Sequence, residues 1–134
     1  MSTIKTETLS TPSNATVPVD TVVNGTAKAW VNFDGTGTVA IRRAFNVSSI
    51  TDRGTGSYHI NFTTAMPDVN YSVVGNDIGS PDSWSGTTIV AANNSDIATY
   101  GMKTSGVSII LIDMYQPNGY PQRDMSVVSV AIFS

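Results

Sequence analysis

The chain has 134 residues and a mass of 14.2 kDa, the length of one domain. Charged residues make up 13% and hydrophobic residues 40%, and seven Lys and Arg against ten Asp and Glu leave a formal charge of −3. That balance argues against a disordered tail, which needs few apolar residues and a high net charge, and against nucleic-acid binding, which shows a basic excess. The absence of Cys excludes disulfide frameworks and thiolate metal sites, and one His excludes a His-rich metal site within a single chain.

Residues 1–26 are dominated by Thr, Ser, Val and Pro, and Pro12 and Pro18 interrupt any helix. Alternation survives only in short pieces such as Ile4, Thr6 and Thr8. The stretch reads as an extended arm outside the compact domain of residues 27–134, with Ile4, Leu9, Val17 and Val19 as its candidate attachment positions. Two readings stand: a frayed tail, or a tether that docks onto another subunit. Met1 to Val23 lacks the apolar core of a signal peptide. The longest apolar run, Ile109 to Ile112, is far short of the roughly 20 residues that cross a bilayer. The expectation is a product kept in the cell that makes it, without membrane insertion.

From Ala27 the pattern changes to a period of two. Ala27, Ala29, Val31 and Phe33 share one face of a strand, and Lys28, Trp30 and Asn32 the other. Asp34-Gly35-Thr36-Gly37 supplies a turn, Thr38 to Arg42 resumes as a short strand, and Phe45 to Thr51 alternates again. Asp52-Arg53-Gly54-Thr55-Gly56 turns into a hairpin partner, Ser57 to Phe62, with Tyr58, Ile60 and Phe62 in alternation. The two Gly-Thr-Gly turns lack the helix and lysine of a phosphate loop and read as two hairpin turns built from the same residues. Met66-Pro67-Asp68 breaks the ladder, and Asn70 to Val74 is the next strand. Gly75 to Gly86 reads as a loop carrying Trp84. Thr87 to Ala92, Ala98 to Lys103, Val107 to Tyr115 and Met125 to Phe133 complete the strands, and Gln116 to Asp124 forms a loop carrying Tyr120. Short strands with turn signals every 8–12 residues predict an all-β fold, an antiparallel β-sandwich or small barrel, with the arm in front of it.

The residues of catalysis are sparse. His59 is the lone imidazole, and strand alternation sets it opposite Tyr58 and Ile60, as a solvent-facing residue; its rival use is a metal on a three-fold axis shared by three chains. Glu7 is the lone Glu and lies in the arm, while the Asp residues fall mostly in turns, where Asp bonds its own backbone. No enzyme, no cofactor and no metal are expected. The aromatics are more informative. Trp84 and Tyr120 sit in the two longest loops, where binding residues concentrate on a rigid scaffold; each could equally pack back onto a sheet edge. Trp30 lies opposite Ala29 and Val31, and the run Ile109 to Ile112 is apolar on both faces. That marks Trp30, Ile110 and Ile112 as candidates for packing against a neighbouring chain.

Together, Lys28-Ala29-Trp30-Val31-Asn32-Phe33, Gly35-Thr36-Gly37, Asn46-Val47-Ser48-Ser49-Ile50-Thr51-Asp52, Gly54-Thr55-Gly56-Ser57-Tyr58, Asn61-Phe62-Thr63 and Met66-Pro67 followed by Asn70-Tyr71 form a recognisable series. With the opening Met1-Ser2-Thr3-Ile4-Lys5, the series resembles a module of tailed bacteriophages, particularly marine and cyanobacterial ones, of the tail-fibre-like or virion structural type. The resemblance covers about residues 1–8 and 27–75 and supplies no catalytic residues. It implies a virion component made in the host cytoplasm, a homo-oligomer with a trimer favoured, whose partners are other tail or capsid proteins. The arm would attach to the particle, and the outward loops with Trp84 and Tyr120 would contact a host surface, including its glycans. Two alternatives remain open: a capsid decoration protein of the cement or head-fibre kind, and a carbohydrate-binding module with Trp84 or Tyr120 stacking on sugar rings.

Overall fold

The computed structural model describes residues 2–3, 5–78, 87–91, 101–113 and 121–134. Strands β1 (Thr8–Ser10) and β2 (Thr16–Pro18) precede a short helix, α1 (Val19–Gly25). Then follow β3 (Ala29–Asp34), β4 (Ala40–Phe45), β5 (Val47–Asp52), β6 (Ser57–Phe62), β7 (Ser72–Ile78), β8 (Thr87–Ala91), β9 (Met102–Lys103), β10 (Gly106–Asp113) and β11 (Val127–Phe133). The fold is an antiparallel all-β sandwich. One sheet has the order β4-β3-β11-β7; the other runs β5-β6-β10-β8, with β9 pairing the first residues of β10.

The core follows from alternation in the four central strands. Ala29, Val31 and Phe33 of β3 and Val128, Val130 and Ile132 of β11 point inward from one sheet. Tyr58, Ile60 and Phe62 of β6 and Val107, Ile109 and Leu111 of β10 meet them from the other. Each of the larger aliphatic side chains among them contributes about 1.5–3 kcal/mol when taken fully out of water. Three residues per strand at a spacing of two is what one buried sheet face requires, and a slip of one residue would expose the whole set.

At one end of the sandwich the two glycine-rich turns are held together. Asp34 and Asp52 each fold back on their own turn: Asp34 Oδ1 accepts the Thr36 N–H at 2.9 Å, and Asp52 Oδ1 accepts the Gly54 N–H at 2.9 Å. The buried Tyr58 packs edge-on against Phe33, with ring centroids 5.2 Å apart. Its hydroxyl lies 2.9 Å from the Gly35 carbonyl and 2.6 Å from Asp124 Oδ1, which also accepts the Gly56 N–H at 2.7 Å. Both glycines are required by closeness. A Cβ at Gly35 would stand 2.5 Å from the Tyr58 hydroxyl, and one at Gly56, where φ is +65°, would stand 2.6 Å from the Arg123 nitrogen.

Several elements depart from the expected boundaries. Phe45 closes β4 and Val47 opens β5 in the other sheet, because Asn46 between them adopts φ +53° and turns the chain from one sheet to the other. Its side chain holds the corner: Nδ2 donates to the Lys28 and Thr64 carbonyls at 3.0 and 3.1 Å, and Oδ1 accepts the Thr64 N–H at 2.7 Å. The segment from Gly75 to Ile78 continues β7 instead of opening a loop, since it pairs with β11 along its whole length. The arm is not simply extended either. β1 and β2 pair as a hairpin closed by Asn14 at φ +61°, and the chain then makes one short helix. The β-branched run at its start disfavours a helix, but the Thr26 hydroxyl and the Lys28 ammonium take the Val22 and Val23 carbonyls at its end.

Gly35→Ala is expected to lower unfolding stability by about 1–3 kcal/mol through overpacking against Tyr58. In a Tyr58→Phe background the same change costs less, because the atom nearest to the new methyl is gone. Urea unfolding of the two single variants and the double variant checks this; strictly additive losses would rule the contact out as the cause.

Candidate functional site

The arm and the sandwich present different surfaces. In the hairpin Leu9 faces Val17 across the strands, and the Val19 N–H reaches the Glu7 carbonyl at 2.9 Å. Residues two apart on a strand share a face, so Leu9 and Val17 form one side and Thr8, Ser10, Thr16 and Pro18 the other, and the Val19–Glu7 backbone bond carries the same register one step beyond the strands. Leu9 and Val17 are 50% and 43% exposed, Val19 is half-buried, and no residue of β1, β2 or α1 is buried. Ile4 lies outside the described residues, as do Trp84 and Tyr120.

The second surface is the outer face of the β4-β3-β11-β7 sheet. The register sets Phe45, Trp30, Ala131 and Val74 side by side across its four strands. Phe45 and Val74 are 55% and 58% exposed, and Trp30 and Ala131 are half-buried. One rank further along lie Arg43, Asn32, Ser129 and Asn76. Asn32 Nδ2 donates to Ser129 Oγ at 2.8 Å. The small side chains of Ser129 and Ala131 on β11, between larger ones on β3 and β7, leave a groove of about 440 Å³ with Phe133 in its lining. At the end of β3, Arg42 makes an ion pair with Asp34 at 2.7 Å. The two Thr36 hydrogen bonds, and then Arg42, hold the Asp34 carboxyl below its usual range. Arg43 is exposed and makes no ion pair with another described residue.

The opposite sheet behaves differently on its outer side. His59 points outward, yet it is 9% exposed and its Nδ1 lies 2.9 Å from Ser108 Oγ. The expected solvent-facing histidine is therefore a buried one, because the centre of this outer face is closed to solvent. Ile110 is 7% exposed within the single chain and has little surface left to give a neighbour, whereas Ile112 is half-buried. Gly106 fits beside His59 for lack of a side chain; a Cβ there would stand 2.7 Å from Nε2.

Among the described residues no three His, Asp or Glu side chains gather as a metal-holding group, and no helix is long and apolar enough to cross a membrane. No protein-family model matches this chain, and no characterised protein and no solved structure does so either. Sequence reasoning singled out Trp30, Leu9, Val17 and Val19 from these surfaces but passed over Phe45, Val74 and Arg43. Phe45 and Arg43 were separable only with the strand break at Asn46, and Val74 only with the pairing of β7 and β11.

Two buried phenols give the sandwich an alkaline limit. Burial pushes Tyr71 up to about 12 from an ordinary value of 10.0; its hydroxyl donates to the Lys103 carbonyl at 2.9 Å. Burial, and then the Asp124 carboxylate, raise Tyr58 further. The folded chain keeps protons that the unfolded chain sheds above pH 10.0, so stability from these groups is complete below that pH and falls as pH rises past it. Unfolding midpoints measured between roughly pH 9 and pH 11 are expected to fall for the natural chain and to fall less steeply for Tyr58→Phe. Equal slopes would show that the Tyr58 proton is not linked to folding.

Proposed function

We propose that this chain is a non-enzymatic virion structural protein of the tail-fibre type, attached through its N-terminal arm. The observation that carries the reading is the division of labour along the chain. The core of the sandwich is drawn from residues 29–132 and closes without the arm, while the arm displays an apolar hairpin face that its own sandwich leaves uncovered. An element of that kind has a use in assembly, where a partner supplies the missing surface. The resemblance carried by Lys28 to Phe33, Asn46 to Asp52 and Gly54 to Tyr58 supplies the setting, a bacteriophage particle. In this reading the chain works as a homo-oligomer, with a trimer favoured, and the segments with Trp84 and Tyr120 face the host surface.

Deleting residues 1–26 is expected to leave a cooperatively unfolding β domain that no longer enters particles. Circular dichroism and the protein content of purified virions check the two halves, and normal incorporation of the shortened chain would refute attachment through the arm. Trp84→Ala is expected to reduce adsorption to host cells several-fold in virions of normal composition, as loss of an aromatic anchor does at other binding surfaces. Unchanged adsorption would remove Trp84 from the host-contacting surface and favour decoration of the shell.

A further inference from the structure

We infer that the hairpin of one copy docks on the outer face of the β4-β3-β11-β7 sheet of a second copy, with Glu7 facing Arg43. The inference rests on the arm as an attachment element and names what its hairpin face meets. Within one chain the two surfaces do not meet, since Leu9, Val17, Phe45 and Val74 are all about half exposed or more. A second copy offers each surface the complement that it lacks.

The two surfaces match in chemistry and in spacing. On the arm an acid and an apolar residue stand two apart, Glu7 and Leu9. On β4 a base and an apolar residue stand two apart, Arg43 and Phe45, both on the outer face. In extended chain that separation is about 6.5 Å on either side. A hairpin strand laid along β4 therefore sets Leu9 on Phe45 while the Glu7 carboxylate meets the Arg43 guanidinium. The hairpin partner of Leu9 is Val17, offset by one interstrand distance of about 4.8 Å, the same step that separates Phe45 from Trp30. Val17 then covers Trp30 at the mouth of the groove over Ala131. The charge of each surface supports the pairing. Residues 1–26 carry Lys5 against Glu7 and Asp20, a net −1, and the receiving rank carries Arg43 as its charged member. Because the donor and acceptor surfaces differ, the contact is head-to-tail, and a ring of such contacts closes with three copies as readily as with two.

The test uses the purified full-length chain, read by sedimentation equilibrium over a range of concentrations. The natural chain is expected to reach a multiple of 14.2 kDa. Glu7→Lys and Arg43→Glu are each expected to weaken association about tenfold or more, and the double variant with the charges exchanged to recover most of that loss. Val17→Asp and Phe45→Asp, both at exposed positions, are expected to give folded monomers by circular dichroism. A natural chain that stays monomeric, a Val17→Asp chain that still assembles, or a charge-exchanged pair no better than its single variants would each overturn the docking. None of these readouts involves a virion, so such a failure stays separate from the incorporation result that tests attachment through the arm.

Discussion

The Tyr58 hydroxyl reaches across the sandwich from β6 to the Gly35 carbonyl at the end of β3, and to Asp124 ahead of β11. A buried phenol must find a partner or lose about 1–3 kcal/mol, and here both partners lie at the turn end of the opposite sheet. The requirement propagates. Gly35 and Gly56 have to be glycine for the chains to approach, Asp124 has to sit where it can take both Tyr58 and Gly56, and Phe33 meets the edge of the same ring. The two Gly-Thr-Gly turns are thus not independent solutions to reversing a strand. One hydroxyl links them, beside the backbone bonds from the Gly35 N–H to the Met125 carbonyl and from the Leu111 N–H to the Gly56 carbonyl.

How much of this was legible in the sequence depends on the range of the interaction that decides it. The buried faces of β3 and β6 follow from alternation alone, because a period of two is a local property, and Ala29, Val31 and Phe33 could be placed from six residues of sequence. The break at Asn46 could not. Phe45, Val47 and Ser49 continue the alternation across it, and only the left-handed backbone of Asn46 sends Phe45 and Val47 to different sheets. The strand through Gly75 was hidden for a related reason: Gly75-Asn76-Asp77 has the composition of a turn, and pairing with β11 overrides it. The arm hairpin likewise depends on a turn at Asn14 whose flanking strands bury nothing.

The exposed apolar surfaces were legible in part. Trp30 announced itself as an apolar residue on the wrong face of a strand, but its neighbours Phe45, Ala131 and Val74 come from three other strands, and no local pattern gathers them. His59 misled, and Ile110 gives up most of its surface within the single chain. Alternation puts both on an outer face, which suggested solvent for the first and a neighbouring subunit for the second. In the folded chain that outer face is closed at its centre, so a polar and an apolar residue are buried side by side, with Ser108 supplying the hydrogen bond that makes a buried imidazole tolerable.

The two sheets of this sandwich therefore treat their outer faces unequally, and the inequality bears on what the protein is for. One sheet hides Ser108, His59 and Ile110; the other leaves an aromatic and aliphatic row in view, with Arg43 beside it. Edge strand β4 carries Arg42 and Arg43, which discourage indiscriminate strand-to-strand pairing at that edge. Yet the face next to them stays apolar, and so does one side of the arm. A chain with only 13% charged residues has little with which to keep such surfaces apart. Apolar area alone would make them sticky without making them selective; in the docking we propose, an acid beside one apolar face and a base beside the other are what turn stickiness into a register.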